Sequence, residues 1–236
     1  IKIAVPRWPR LSNFDDLDPL AAEPDVSVVF IEPTEPLPCD ADLIVLPGSK
    51  STLADLAAFR EQGWDVDLHA HIRRGGMVLG LCGGFQMLGR RVADPDGIEG
   101  PPSDAIGLGW FDMETVLTGE KTLLEASGVV CETGLSIRGY EMHIGRSTGP
   151  ALDRPFLELE GRPEGAVSED GQIIGCYVHG LFADDTFRQD FLRQLGTRVA
   201  ASVAYERQVE TTLDQLAEHL EHHLDMDSLI ALTGLG

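Results

Sequence analysis

Four short, almost uninterrupted aliphatic runs punctuate the first third of the chain: Ile1 to Val5, Val26 to Ile31, Leu43 to Leu46 and Met77 to Leu79. Apolar runs without alternation suit strands covered on both faces, because every side chain must then leave water. Helical spacing fills the gaps between them. Thr52 to Gln62 sets Leu53, Leu56, Ala57 and Phe59 on one stripe, with Ser51 as an N-cap and Gly63 as the stop. Trp64 to Arg74 follows, closed by Gly75 and Gly76. This alternation predicts an α/β fold of three layers, a mostly parallel sheet with helices on both faces and its site at the carboxyl ends of the strands.

The remaining sequence is read more coarsely. Gly97 to Gly149 predicts short, glycine-rich strands, and Glu164 to His179 a hairpin turning at Asp170 and Gly171. Phe187, Phe191, Leu192 and Leu195 form one helical stripe. Leu213, Leu216, Leu220, Leu224 and Leu229 predict one long C-terminal helix with acidic residues and histidines outside. The 236 residues are expected to form a single domain, with a core over about 1–196 and a helical extension over about 197–236. The chain opens inside a strand, at Ile1 and with no basic segment leading a signal core, as expected of a processed chain or a domain cut from a longer protein.

Charge and cysteine usage narrow the class. With 18 Lys plus Arg against 39 Asp plus Glu, the net charge of −21 repels phosphates, so neither nucleic acid nor an anionic membrane is an expected partner. No apolar run approaches the roughly 18 residues of a membrane span. Cys39, Cys82, Cys131 and Cys176 lack CxxC or metal-ligand spacing, so neither a zinc site nor a disulfide framework is expected, and a reducing cytoplasm fits. His219, His222 and His223 read as a solvated helix face.

The chemistry concentrates at Gly80-Leu81-Cys82-Gly83-Gly84-Phe85-Gln86, directly after the last aliphatic run. A G-x-C-x-G elbow exposes a nucleophile on a sharp strand-to-helix turn, where small neighbours are needed. There Cys82 meets a helix N-terminus that favours thiolate. His179 ends an apolar strand and is the candidate base and proton shuttle. Period-two alternation sets Cys176 with Val178 on one face of that strand, as core, and Tyr177 with His179 on the other. Gly48 and Ser49, in Pro47-Gly48-Ser49-Lys50, offer backbone amides that with Gly83 can hold an oxyanion. In Gly139-Tyr140-Glu141-Met142-His143-Ile144-Gly145-Arg146 the same alternation puts Glu141 and His143 on one face and Tyr140 on the other.

These motifs resemble those of class I, triad-type glutamine amidotransferases, a flavodoxin-like α/β class. More narrowly, Arg7 to Phe14, PGSKSTLADL, GLCGGFQMLG, GYEMHIGR and YVHGLF resemble the C-terminal glutaminase domains of the cobyric acid synthase branch. The resemblance implies that Cys82 attacks the glutamine carboxamide, that His179 shuttles protons, and that Gln86, Tyr140 and His143 lie near the substrate. It implies no cofactor or metal in this domain. ATP and Mg are expected only in an N-terminal synthetase domain, the implied partner, which uses the ammonia to amidate cobyrinic acid a,c-diamide. Related glutaminases, serving cobyrinic acid a,c-diamide synthesis or lipid II amidation, and a non-catalytic docking module are the alternatives. One departure stands out: Leu181 occupies the place where many class I enzymes carry the glutamate that orients the histidine. Glu141, Asp184 or Asp185, a carboxylate from the synthetase domain, or none at all remain open for that role.

Overall fold

The computed structural model describes residues 1–196 and 203–233. In chain order its first part holds β1 (Lys2–Pro6), β2 (Leu11–Ser12), a 3-10 turn over Phe14–Leu17, α1 (Asp18–Ala21), β3 (Ser27–Ile31), β4 (Leu43–Leu46) and β5 (Gly48–Ser49). Then come α2 (Thr52–Glu61), α3 (Trp64–Arg73), β6 (Met77–Leu81) and α4 (Gly83–Leu88). The second part comprises β7 (Arg91–Asp94), β8 (Ser103–Ile106), β9 (Glu114–Val130), β10 (Ser136–Thr148), β11 (Leu157–Leu159) and β12 (Arg162–Glu164). It closes with β13 (Ala166–Val167), β14 (Ile173–Cys176), β15 (Val178–His179) and α5 (Asp185–Leu195).

The aliphatic runs form the expected sheet, in the order β13-β14-β6-β4-β1-β3. All its pairings are parallel except that of β13 with β14, the two arms of the hairpin around Asp170 and Gly171. β4 is buried throughout, whereas β3 lies at the sheet edge and leaves Phe30 exposed, so its apolar run is only half covered. One face packs against α2, α3 and α4 through Leu56, Phe59, Trp64, Leu68 and Phe85. The other face packs against α5 and the second sheet through Phe182, Phe187, Phe191, Ala126 and Leu157. Burying each such side chain contributes roughly 1.5–3 kcal/mol.

Two expectations need correction. Gly97 to Gly149 does not break into short strands throughout, because β9 and β10 run 17 and 13 residues as one antiparallel hairpin of a seven-stranded second sheet. Its middle is exposed on both faces, so no apolar alternation marks it. The single C-terminal helix is instead two, α6 (Tyr205–His223) and α7 (Met226–Thr233). Leu224 is extended at the end of α6, and Asp225 accepts from Ser228 N (3.1 Å), which starts a new helix. The chain divides into two compact units, 1–202 and 203–236. Part of the predicted extension, 197–202 and 234–236, lies outside the described residues. Among the described residues no helix is long and apolar enough to cross a membrane.

Candidate active site

Cys82 sits between β6 and α4 with φ 50° and ψ −108°, a positive-φ conformation that costs a side-chain-bearing residue about 1–3 kcal/mol. Its surroundings hold it there. Cys82 N donates to Cys176 O (2.9 Å), Gly84 N to Pro47 O (3.0 Å) and Gln86 N to Cys82 O (3.0 Å). A Cβ on Gly84 would stand 2.0 Å from Leu46 O, so α4 crosses β4 at a distance that only glycine permits. The Cys82 thiol donates to Met142 O (3.2 Å), bringing the elbow against β10.

His179 reaches the same place by a change of sheet. β14 pairs with β6 in the first sheet, and two residues on β15 pairs with β10, Tyr140 opposite His179. Cys176 and Val178 enter one core cluster and Tyr177 the other, as expected, but Tyr177 stacks on His143 while His179 stands against Tyr140, so Tyr177 and His179 do not share a face. The imidazole is 1% exposed and stacks on Tyr140, centroids 5.3 Å apart, while Tyr140 Oη accepts from Asn13 Nδ2 (3.1 Å).

The carboxylate on His179 is one that none of the sequence candidates included. Asp16 Oδ2 lies 2.7 Å from His179 Nδ1, and Asp16 Oδ1 accepts from Gly180 N at 2.7 Å. Asp16 is itself 5% exposed. Glu141 is turned the other way and takes a two-armed ion pair from Arg162. Asp184 caps α5, accepting from Thr186 N and Phe187 N, and Asp185 pairs with Arg188 (2.8 Å). An acid on a 3-10 turn, beside Asp15 and 163 residues from its partner, carries no spacing signal.

Burial alone would lower the His179 pKa, but Asp16 and Cys82 outweigh it and push it up to about 10. The ring is therefore an imidazolium at neutral pH. Its Nε2 is buried and has no hydrogen-bond partner among the described residues, leaving one N–H for the sulfur or a leaving group.

The two predicted loops contribute unequally. Lys50 N donates to Arg10 O (2.9 Å), which makes Leu11 and Ser49 the non-hydrogen-bonded pair of the β2–β5 ladder. Ser49 N–H therefore points away from β2, and the Ser49 nitrogen stands 2.9 Å from where a Cβ on Gly83 would be. Gly48, paired with Ser12, directs its amide into the ladder instead, so of the three predicted amides those of Ser49 and Gly83 stand together. Gly83 N–H, first in α4, has no acceptor among the described residues.

Gln86, Tyr140 and His143 separate. Gln86 is buried, its Oε1 accepting from Thr52 Oγ1 (3.0 Å) and its Nε2 donating to Ile144 O (2.9 Å), so it ties α4 to α2 and β10. His143 stacks on Tyr177, centroids 3.9 Å apart, behind β10. With Glu141, Arg162, Glu164 and Tyr177 it lines a cavity of about 570 Å³ whose lining includes neither Cys82 nor His179. Burial pushes the Glu164 carboxyl up to about 8 against the Tyr177 N–H that it accepts, so it is largely neutral at pH 7.

A parallel sheet presenting an elbow cysteine to a carboxylate-held histidine is the arrangement of a class I glutamine amidotransferase. A chain in the PurLQS structure from Thermotoga maritima shares this fold with TM-score 0.63 at 20% identity, over 83% of this chain and 99% of that one. A solved glutamine amidotransferase shares it with TM-score 0.57 at 16% identity, over 82% and 97%. The chain belongs to the CobB/CobQ-like glutamine amidotransferase domain family, whose model matches residues 2–187. At 58% identity it is similar to the cobyric acid synthase of Methylobacterium nodulans, over 98% of this chain and 47% of that protein. The chain spans about half the length of the curated relatives it matches.

Proposed function

We propose that this chain is the glutaminase of a cobyric acid synthase. The carrying observation is Cys82 on its elbow beside His179, with Asp16 holding Nδ1. In this reading the Cys82 thiolate attacks the side-chain carboxamide of glutamine, and the oxyanion is received by the N–H groups of Ser49 and Gly83. His179 protonates the departing nitrogen, which leaves as ammonia. Water, deprotonated by the now neutral His179, then opens the glutamyl thioester to glutamate and restores the Cys82 thiolate beside the His179 imidazolium. One water is consumed for each glutamine. The ammonia serves a synthetase half, where ATP and Mg activate side-chain carboxylates of cobyrinic acid a,c-diamide for amidation.

Similarity to cobyric acid synthases along nearly the whole chain supports the acceptor, and the site geometry supports the glutaminase step. The test is glutamate release by wild type beside Cys82→Ala, alone and joined to the synthetase half with ATP and cobyrinic acid a,c-diamide. Cys82-dependent release that rises with acceptor is expected. Folded protein that releases no glutamate in either setting overturns the reading.

A further inference from the structure

β9 is flanked on its outer edge by β7 only at Glu114–Val116 and by β11 only at Gly128–Val130. From Leu117 to Ser127 that edge has no strand beside it among the described residues. A bare strand edge offers a row of backbone donors and acceptors, the usual template for strand addition. Here it also carries two exposed leucines in succession, Leu123 at 61% and Leu124 at 58%.

The register ties this edge to the nucleophile. Leu123 stands opposite Met142, and Leu124 opposite Glu141. Opposed residues share a face, so Leu123 lies on the same side of the hairpin as Met142 and Tyr140. Met142 O takes the Cys82 thiol and Tyr140 stacks on His179. Whatever covers Leu123 is thus one strand away from both reacting groups.

We infer that the open β9 edge around Leu123 and Leu124 is where the synthetase half of the whole protein docks, and that docking acts through β10 on the Cys82–Met142 contact. The inference rests on the proposed glutaminase reading and adds to it the surface of coupling. Two observations select this occupant. The relatives are about twice as long as this chain, so a second body on the same polypeptide is held at high effective concentration and a modest surface suffices. Ammonia released at Cys82 must also reach its acceptor before water protonates it, which places the acceptor-binding body against the Tyr140–Met142 face. The rival is a second copy of this chain. Antiparallel pairing about Leu123 would set Lys121 opposite Glu125 of the other copy.

Hydrogen exchange separates the two. In the full-length protein, amides of Gly119 to Glu125 are expected to exchange at least about tenfold slower than in this chain, by the same factor at low and high concentration. Equal exchange in both overturns the inference. Slowing in this chain alone that grows with concentration, with a dimer's mass by ultracentrifugation, also overturns it and assigns the edge to self-association. In the full-length protein, Leu123→Asp with Leu124→Asp is expected to restore fast exchange and to cut stimulation by ATP and acceptor about tenfold, with basal turnover within about twofold. Unchanged stimulation would remove the coupling. Absence of all glutamine hydrolysis in the wild-type full-length protein would remove the glutaminase reading, while the exchange result would still decide the surface.

Discussion

Asp16 Oδ2 is 2.7 Å from His179 Nδ1, a contact that joins the first turn after β2 to the last strand of the second sheet. It occupies Nδ1 and leaves Nε2 as the free ring nitrogen, and it keeps the imidazolium charged although the ring is buried. Its loss should be read in kinetics and not only in stability.

Asp16→Asn is expected to lower kcat for glutamine hydrolysis by about 10²-fold or more with a smaller change in KM. The pH profile is the distinguishing readout. In wild type the histidine loses its proton near pH 10, so its contribution to stability is complete below 6.5 and disappears as pH rises through about 10. Without the carboxylate, burial dominates and the alkaline limb moves down toward neutrality. Glu141→Gln, which faces Arg162, should leave that limb in place.

Gly83→Ala tests the oxyanion donors. The added Cβ would meet Ser49 N at 2.9 Å and Ser49 Cβ at 3.0 Å, between the two amides proposed to receive the charge. Circular dichroism is expected to stay native while kcat falls by about 10²–10³-fold, the usual cost of a lost oxyanion donor.

Cys82→Gly and Cys82→Ala should both abolish turnover but differ in stability. Alanine keeps a Cβ at φ 50°, whereas glycine adopts that conformation freely. The glycine variant should be the more stable by about 1 kcal/mol, measured by denaturant unfolding. Equal stability would mean that the elbow stores no strain.

Glu164→Gln addresses the buried acid behind β10. Because its pKa rises from 4.5 to about 8, the contribution from its protonated form is complete below 4.5 and is lost as pH rises through about 8. Glutamine mimics the neutral acid. The variant should therefore lose less melting temperature than wild type between pH 5 and pH 9, the gap widening toward the alkaline end.

What sequence alone carried was local. Unbroken aliphatic runs drew β1, β4 and β6 because full burial leaves no polar position, and the glycines of 80–84 marked the elbow because only small residues tolerate that turn. Cys82 and His179 were legible for the same reason, each standing where a strand stops. Tertiary structure decided the rest. Asp16 meets His179 only because β1 and β14 flank β4 and β6 in one sheet and β15 then leaves it. Ser49, and not Gly48, turns its amide to Gly83 through pairing with a strand 38 residues upstream. Glu141 takes Arg162 instead of His179 because alternation along β10 sends it to the opposite face. The long β9–β10 hairpin was hidden because its exposed middle needs no apolar pattern. A chain encodes burial residue by residue, but a contact between distant polar groups exists only once the sheets have set their order and register.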